Sequence, residues 1–285
     1  MATHSLGLEV PAFGAPAALS AATLGATRVE LNALGSYAEG GLTPSLEDLE
    51  QFTSTSDGRP PVRVMIRPRG PPSSSSSSEA NGKSKRDFLY SDAEFEDMEE
   101  SIQKFRDSGL LDANRSDGFV FGILEEDGYE KGDDRARGQR CWVDKKRCAR
   151  LVQAAQPFKC VFHRAFDEIV SCDDATSDGI NRPAWETGLE DIAACGFEGI
   201  LTSGGLGKAV DNLAMLEKII QKAQTLRIEI IVGGGIRTAN VGQITQKLEL
   251  RARADSVYLH SACLHGDGRE QINAEEVQGI LAQLV

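Results

Sequence analysis

The stretch FEGILTSGGLGKAVDNLAMLEKIIQKAQTLRIEIIVGGG, residues 197–235, contains one complete repeating unit of this chain. A short apolar run begins at Phe197, an amphipathic segment begins at Asn212, and a second apolar run begins at Ile228. Nearly continuous apolar runs of this length are typical of strands that are covered on both faces, and the segment between them has the pattern of a helix. A strand, a helix and a further strand in this order predict two parallel strands of one sheet.

The same alternation extends in both directions along the chain. We predict eight strands, which begin at Leu6, Thr27, Pro61, Asp117, Lys159, Phe197, Ile228 and Ser256. Eight helical patterns follow them, beginning at Pro16, Ser45, Ser91, Trp142, Pro183, Asn212, Thr238 and Ala274. Eight such units in 285 residues predict a single α/β domain, a closed (β/α)₈ TIM barrel over residues 1–285. A doubly wound open sheet is the alternative, although no G-x-G-x-x-G follows the first strand.

A serine-rich segment, PPSSSSSSEANGKSKR at residues 71–86, interrupts the pattern between the third strand and the third helix. Such a composition cannot bury enough apolar surface to offset the entropy of the chain, so we predict a flexible loop insertion. Long connections also begin at Glu125 and Asp167, after the fourth and fifth strands. In a barrel, all three would lie at the carboxyl-terminal ends of the strands, where the binding sites of this fold are built.

Composition narrows the classes of partner and the cellular location. The net charge of −12 argues against nucleic acids and acidic membrane surfaces, because phosphate binding needs a basic face. We find no apolar run of membrane-spanning length and no signal-peptide pattern. Six cysteines at irregular spacing indicate free thiols in a reducing compartment. We therefore expect a cytoplasmic protein, with the nucleus as the alternative location.

Polar side chains collect where the predicted strands end. They are Glu30, Asn32, Arg67, Arg69, His163, Arg164, Asp167, Thr202, Ser203, His260 and Ser261. Because a charge inside a barrel is costly unless it is paired or faces a ligand, this set predicts a polar pocket. The alternative is that these charges only pair with one another, for example Glu30 with one of the arginines.

Within this pocket we assign candidate roles by residue type. Glu30, His163 and Asp167 are candidates for moving a proton. Arg67, Arg69 and Arg164 are candidates for binding a small anion, since a guanidinium clamps such groups through two hydrogen bonds. Glycine lets backbone amides approach an oxyanion, so a phosphate site is predicted at Gly234, Gly235, Ser261 and Ala262.

The cysteines show no C-x-x-C pair and no zinc-ligand spacing. Cys160 lies in an apolar pattern and is expected to be buried, whereas Cys263 follows the last strand and is the thiol nearest the predicted pocket. Both remain weak candidates for binding a metal.

Eight motifs in this order resemble the copper homeostasis CutC family. They are VELNALGSYAEGGLTPS, VMIRPRG, DFLYSDAEFEDM, DGFVFGIL, FHRAFD, GFEGILTSGG, GGGI and HSA, and the likeness runs from Leu8 to Ala262. The resemblance implies a TIM-type barrel, a homodimer or homotetramer, and a role in copper tolerance or Cu(I) binding. The family joins RPRG almost directly to DFLYSD, so residues 71–86 are an insertion by this comparison.

The sequence departs from the family at two positions that matter for copper. Family members usually carry cysteine in the first strand and another just after V-E-L, where this chain has Pro11 and Asn32. Cu(I) prefers sulfur, so Cys160 or Cys263 would have to substitute. Three functions therefore stay open: copper handling, an enzyme for a small anionic metabolite with or without a phosphate group, and an oligomeric interaction protein without catalytic activity.

Overall fold

Eight parallel strands close into a barrel in the computed structural model, which describes residues 6–54, 58–72, 86–126, 140–172, 182–265 and 269–284. The barrel strands are β1 (Gly7–Phe13), β2 (Arg28–Asn32), β3 (Val62–Met65), β4 (Gly118–Phe121), β7 (Lys159–Phe162), β8 (Gly199–Thr202), β9 (Glu229–Val232) and β10 (Val257–His260). Two further strands, β5 (Leu124–Glu126) and β6 (Cys141–Val143), form a separate hairpin. The barrel strands neighbour one another in chain order, and β10 pairs with β1 to close the ring. The predicted (β/α)₈ barrel is confirmed.

Helices surround the barrel. They are α1 (Ala15–Thr23), α2 (Leu46–Thr53), α3 (Asp92–Asp107), α4 (Lys145–Ala155), α5 (Ala165–Val170), α6 (Ala184–Cys195), α7 (Leu213–Leu226), α8 (Val241–Lys247) and α9 (Ala274–Leu281). Ser91 and Glu94 form a capping box at the start of α3, so amides that the first turn leaves unbonded gain acceptors. None of the helices within the described ranges is long and apolar enough to cross a bilayer.

The structure adds a hairpin and a helix that the sequence patterns did not predict. β5 (Leu124–Glu126) and β6 (Cys141–Val143) pair antiparallel at the base of the connection that follows β4. The helical pattern assigned from Trp142 is therefore wrong at its start: Trp142 lies in β6, and α4 begins after the N-cap Asp144. Similarly, α5 occupies residues that we assigned to a strand end and a loop.

The serine-rich segment interrupts the barrel chain between β3 and β4. Residues 73–85 lie outside the described residues. On either side, β3 and β4 pair directly, with Arg63 opposite Gly118. A Cβ atom on Gly118 would lie 2.1 Å from the Lys159 carbonyl oxygen, so the close approach of β4 to β7 requires glycine there.

Only a thin apolar layer fills the interior of the barrel. It consists of Met65, Val120, Val161, Leu201 and Ile231, with Tyr258 packed against it. The larger apolar core lies between the strands and the helices. On either side of the thin layer, the interior carries polar and charged side chains, and these form the site.

Candidate functional site

A cavity of about 520 Å³ opens at the carboxyl-terminal end of the barrel. All of the predicted catalytic and anion-binding residues line it except Arg69. The lining members of that set are Glu30, Arg67, His163, Arg164, Asp167, Gly234, Gly235, Ser261 and Ala262. We call this cavity the barrel mouth. The residues that we selected from the sequence therefore do lie close together, but their hydrogen bonds give them roles that differ from one another.

Arg67 is buried and lines the barrel mouth, whereas Arg69 lies just outside its lining. Arg67 Nη2 donates to Asp87 at 2.7 Å, and Nη1 donates to the carbonyl oxygens of Glu39 and Gly41. Arg67 thus holds the loop after β2 in place. Arg69 Nε instead donates at 2.5 Å to Glu94, at the start of α3. Arg69 Nη1 also lies 3.8 Å from Asp87, the carboxylate that Arg67 binds, so Arg69 is next to Arg67 but does not line the cavity.

His163 is buried and neutral. Its Nδ1 accepts a hydrogen bond from the Ala165 amide at 3.3 Å, which places the proton of the neutral ring on Nε2. Burial lowers the pKa of His163 to about 3, and the charge of Arg67 adds to this effect. Its Nε2 is buried and has no partner within the described residues. His163 is therefore better suited to donate a hydrogen bond to a ligand than to act as a base at neutral pH.

Asp167 fastens the loop that follows β8. Its Oδ1 accepts from the Thr202 hydroxyl at 2.5 Å and from the amides of Ser203 and Gly205 at 3.0 and 3.2 Å. Its Oδ2 accepts from Ser203 Oγ at 2.9 Å and from Arg164 Nε at 2.8 Å. Both oxygens are occupied, so Asp167 positions its neighbours. Arg164 remains the more accessible cation, with 41% of its side chain exposed.

The turn at Gly234 and Gly235, after β9, has the geometry of an anion site. The Ser261 hydroxyl, in contrast, already donates its hydrogen bond to another residue of the chain. Gly234 and Gly235 have φ of 94° and 74°, and a Cβ on Gly234 would lie 2.6 Å from the Ser203 Cβ. The Gly234, Gly235 and Ile236 amides donate no hydrogen bond within the described residues. The Ser261 hydroxyl donates to the Ile236 carbonyl at 2.7 Å, so it ties two loops together.

Two buried carboxylates with different surroundings lie at the bottom of the barrel mouth: Glu30 lines the cavity, and Glu9 lies beneath it. Glu9 accepts from Arg28 Nε at 2.5 Å, and its Oε1 lies 2.7 Å from His260 Nδ1. Burial alone would raise the pKa of Glu9, but Arg28 and His260 together lower it to about 2. Among the described residues Glu30 accepts a hydrogen bond only from Asn32 Nδ2, at 3.0 Å, and burial raises its pKa. The alternative pairing of Glu30 with an arginine is wrong, because Glu30 forms no ion pair in the described part of the chain, whereas Arg28 pairs with Glu9.

A second group of charges lies in the amino-terminal half of the barrel, from which we had named no candidate residue. Arg28 Nη1 donates to Glu229 at 2.8 Å, and its guanidinium lies 3.8 Å from the centre of the Tyr258 ring. Arg63 is also buried there, and burial lowers its pKa. The sequence signal was present, since Glu9, Arg28 and Arg63 interrupt apolar strands at positions that face the interior.

Cys160 and Cys263 are buried thiols. Burial raises the pKa of Cys160 to about 12 and that of Cys263 to about 11, so both hold their protons at neutral pH. Cys160 packs in the core between strands and helices. Neither cysteine lines the barrel mouth in the part of the chain that the structure describes.

A different pair of cysteines is in contact. Cys141 Sγ in β6 lies 3.6 Å from Cys172 Sγ, which follows α5, and this is the one thiol–thiol contact among the described residues. The hydrogen bond from Cys141 lowers the pKa of Cys172 to about 6, and the charge of Arg86 acts in the same direction. Both cysteines line a smaller cavity of about 190 Å³. Sequence spacing could not reveal this pair, because 31 positions separate its members.

Comparison with known proteins identifies the family. A family model described as the CutC family matches residues 8–258. The chain belongs to the CutC family. It is 32% identical over 245 residues to a human protein named copper homeostasis protein cutC homolog, covering 86% of this chain and 71% of that one. A CutC family protein of Mesorhizobium japonicum is 32% identical over 243 residues, covering 85% and 74%.

The solved structures agree with the fold of this CutC chain. The crystal structure of a CutC copper homeostasis protein from Streptococcus agalactiae superimposes with a TM-score of 0.63. It is 24% identical and covers 90% of this chain and 98% of that one. At this identity the likeness shows the fold alone.

No cysteine lines the barrel mouth of this CutC chain among the described residues, and the sulfur that does line it belongs to the Met65 thioether. Pro11 lines the mouth, and Asn32 donates to Glu30, at the two positions where family members usually carry cysteine. Carboxylates and imidazoles remain, and these are harder ligands than Cu(I) prefers. The barrel mouth therefore does not fit a thiolate copper site.

Proposed function

We propose that this chain serves copper homeostasis by binding Cu(I) as cargo through Cys141 and Cys172. The names of its relatives supply the metal, and the 3.6 Å contact between the two sulfurs carries the assignment to this pair. Cu(I) is a soft ion that prefers thiolates, and two converging sulfurs are a set of donors that suits it.

The surroundings of the pair support this role. Thiolates rather than thiols bind metals, and the Arg86 guanidinium favours the thiolate at Cys172. Cys172 is partly exposed while Cys141 is buried, so an ion could enter from the Cys172 side and end in a shielded position. Binding would release the remaining proton of the pair, so the affinity should rise with pH.

A titration of the reduced protein with Cu(I) against a competing chelator, without oxygen, tests the proposal. We expect one tightly bound equivalent, lost in Cys141→Ser and in Cys172→Ser. Cys160→Ser and Cys263→Ser are the matched controls and should retain it. Binding that survives both of the first two substitutions, or a wild-type protein without a tight equivalent, would refute the assignment.

A small anion at the barrel mouth is a second proposal. The free amides of Gly234, Gly235 and Ile236 support it, together with the partly exposed Arg164 guanidinium. Calorimetric titration with inorganic phosphate should show binding that Arg164→Ala weakens and Arg115→Ala, at the other end of the barrel, leaves unchanged. Equal heats in the three proteins would contradict it.

We also propose that the chain self-associates as a homodimer or homotetramer and works in the cytoplasm. Both rest on the family likeness and on composition. Light scattering coupled to size-exclusion chromatography tests the first, since a monomer mass of 30.7 kDa at micromolar concentration would contradict it. Imaging of a tagged full-length chain tests the second.

A further inference from the structure

Three titratable side chains converge on the floor of the barrel mouth. Glu9 on β1, Glu30 on β2 and His260 on β10 each bring one potential ligand atom within 4.8 Å of the other two. The register explains this, because Glu9 lies opposite His260 on one side of β1 and Pro11 lies opposite Glu30 on the other. The group is therefore set by the barrel strands and not by a loop.

Glu30 is the anomaly within this group. Glu30 is 4% exposed, and its Oε2 has no hydrogen-bond partner among the described residues. Its other oxygen accepts one hydrogen bond, from a neutral amide. A buried carboxylate in this state is costly, so a buried oxygen without a partner requires an explanation. An unpartnered carboxylate oxygen in the lining of a cavity is what a cation ligand looks like before the cation binds.

The negative charge of Glu9, by contrast, is already balanced by Arg28, and the Glu9 carboxylate orients the His260 ring. One oxygen is bound to Arg28 and the other to His260 Nδ1. This leaves His260 Nε2, which makes no hydrogen bond within the described residues, as the ring nitrogen available to a ligand. A carboxylate that holds one imidazole nitrogen while the other binds a metal is a common arrangement in metal sites.

We propose that the floor of the barrel mouth binds a divalent cation of the Zn²⁺ or Mn²⁺ class between the Glu30 carboxylate and His260 Nε2. Glu9 fixes the His260 ring, and the open side of the cation faces the cavity. Oxygen and imidazole nitrogen suit such cations, whereas Cu(I) would be favoured only by sulfur. The site is independent of the Cys141–Cys172 pair and does not rest on the proposed copper function.

The cation should leave positions open for water or for a ligand in the barrel mouth. Two protein ligands do not complete the coordination of either ion. The free amides after β9 and the His163 Nε2 line the same cavity. An anion bound by these amides would contact the cation. This would explain why hydrogen-bond donors for an anion and a carboxylate for a cation line the same cavity.

Zinc titration of the full chain tests the site, with Zn²⁺ alone as the probe. Thiols also bind zinc, so the experiment uses Cys141→Ser with Cys172→Ser as the parent. Calorimetry should show one equivalent, weakened at least tenfold by Glu30→Gln and by His260→Gln. Glu39→Gln is the matched control, because Glu39 lines the same cavity outside the cluster, and it should bind as the parent does. Glu9→Gln should weaken binding by about ten- to a hundredfold, as loss of an orienting group does.

Two further readouts separate a site from a folding effect. Zn²⁺ should raise the melting temperature of the parent and leave that of Glu30→Gln unchanged, even if the two differ without metal. Nitrogen-15 NMR should show Zn²⁺ shifting the Nε2 resonance of His260, one of four histidines. An unchanged His260 resonance, or equal zinc affinity in Glu30→Gln and Glu39→Gln, would overturn the proposal. In that case His260 would compensate the charge of Glu30 as an imidazolium, with no cation involved.

Discussion

His163 should make this protein lose stability in mild acid. The native ring binds a proton only near pH 3, because it is buried beside Arg67 and its Nδ1 accepts from the Ala165 amide. The unfolded chain binds that proton near the ordinary value of 6.5. Between these values the unfolded state holds more protons than the native state. The free energy of unfolding must therefore fall as the pH falls through this range.

The magnitude follows from the two pKa values. Each pH unit between them costs about 1.4 kcal/mol of stability, and the loss from pH 7 to about pH 4.5 sums to about 2.5 kcal/mol for this one group. Many proteins are stable by only about 5–15 kcal/mol, so a loss of this size is measurable. Other groups titrate in the same range, and a difference between two variants removes their contribution.

Urea denaturation of the wild type and of His163→Asn at both pH values provides the assay. The asparagine oxygen can accept from the Ala165 amide as Nδ1 does, and it does not titrate. The variant should lose about 2.5 kcal/mol less than the wild type on acidification. His265→Asn, at an exposed position, should behave as the wild type does. If His163→Asn and the wild type lose the same amount, native His163 is protonated and the account of its environment is wrong.

Three further substitutions test other parts of the structure. Asp167→Asn removes an acceptor from a carboxylate whose oxygens are both occupied, so it should cost about 3 kcal/mol in urea denaturation; a cost near zero would show that the loop after β8 is held by other contacts. Ser91→Ala removes the cap of α3 and should cost about 1 kcal/mol, with an unchanged melting curve counting against the capping box. Pro11→Cys combined with Asn32→Cys places two thiols at the barrel mouth, and competition titration should then detect one additional equivalent of Cu(I). An unchanged stoichiometry would mean that these positions do not converge.

The order of the elements could be predicted because each strand carries its own signal. The apolar run from Ile228 forms a strand that faces the barrel interior on one side and the surrounding helices on the other. Both faces are therefore apolar, and the composition of the run identifies it as a strand. Capping at Ser91 is equally local. The β5–β6 hairpin was missed because both strands have three residues, and the pairing joins positions on either side of a long connection. Short strands stabilised by pairing leave little trace in sequence.

The site could be predicted as a location but not as a set of contacts. Polar residues at strand ends must meet in a closed barrel, so Glu30, His163 and Asp167 were found together. Their roles depend on partners from other strands. Nothing in the sequence distinguishes Asp167, which accepts hydrogen bonds on both oxygens, from Glu30, which has an oxygen without one. Glu9 was overlooked because the prediction assumed that charges collect only where strands end.

The two ion pairs that link Glu9 to Glu229 through Arg28 affect which substitutions this barrel can accept during evolution. In this fold the amino-terminal end usually bears on stability and the opposite end on ligand chemistry, so the two can drift apart in sequence. Here Arg28 is shared between Glu229, which is partly exposed at one end, and Glu9 beneath the barrel mouth. A substitution at Glu229 would change how much of the Arg28 charge is left for Glu9. A mutational scan that ranks positions by their distance from the mouth would therefore misjudge Glu229, because Arg28 links it to Glu9 beneath the mouth.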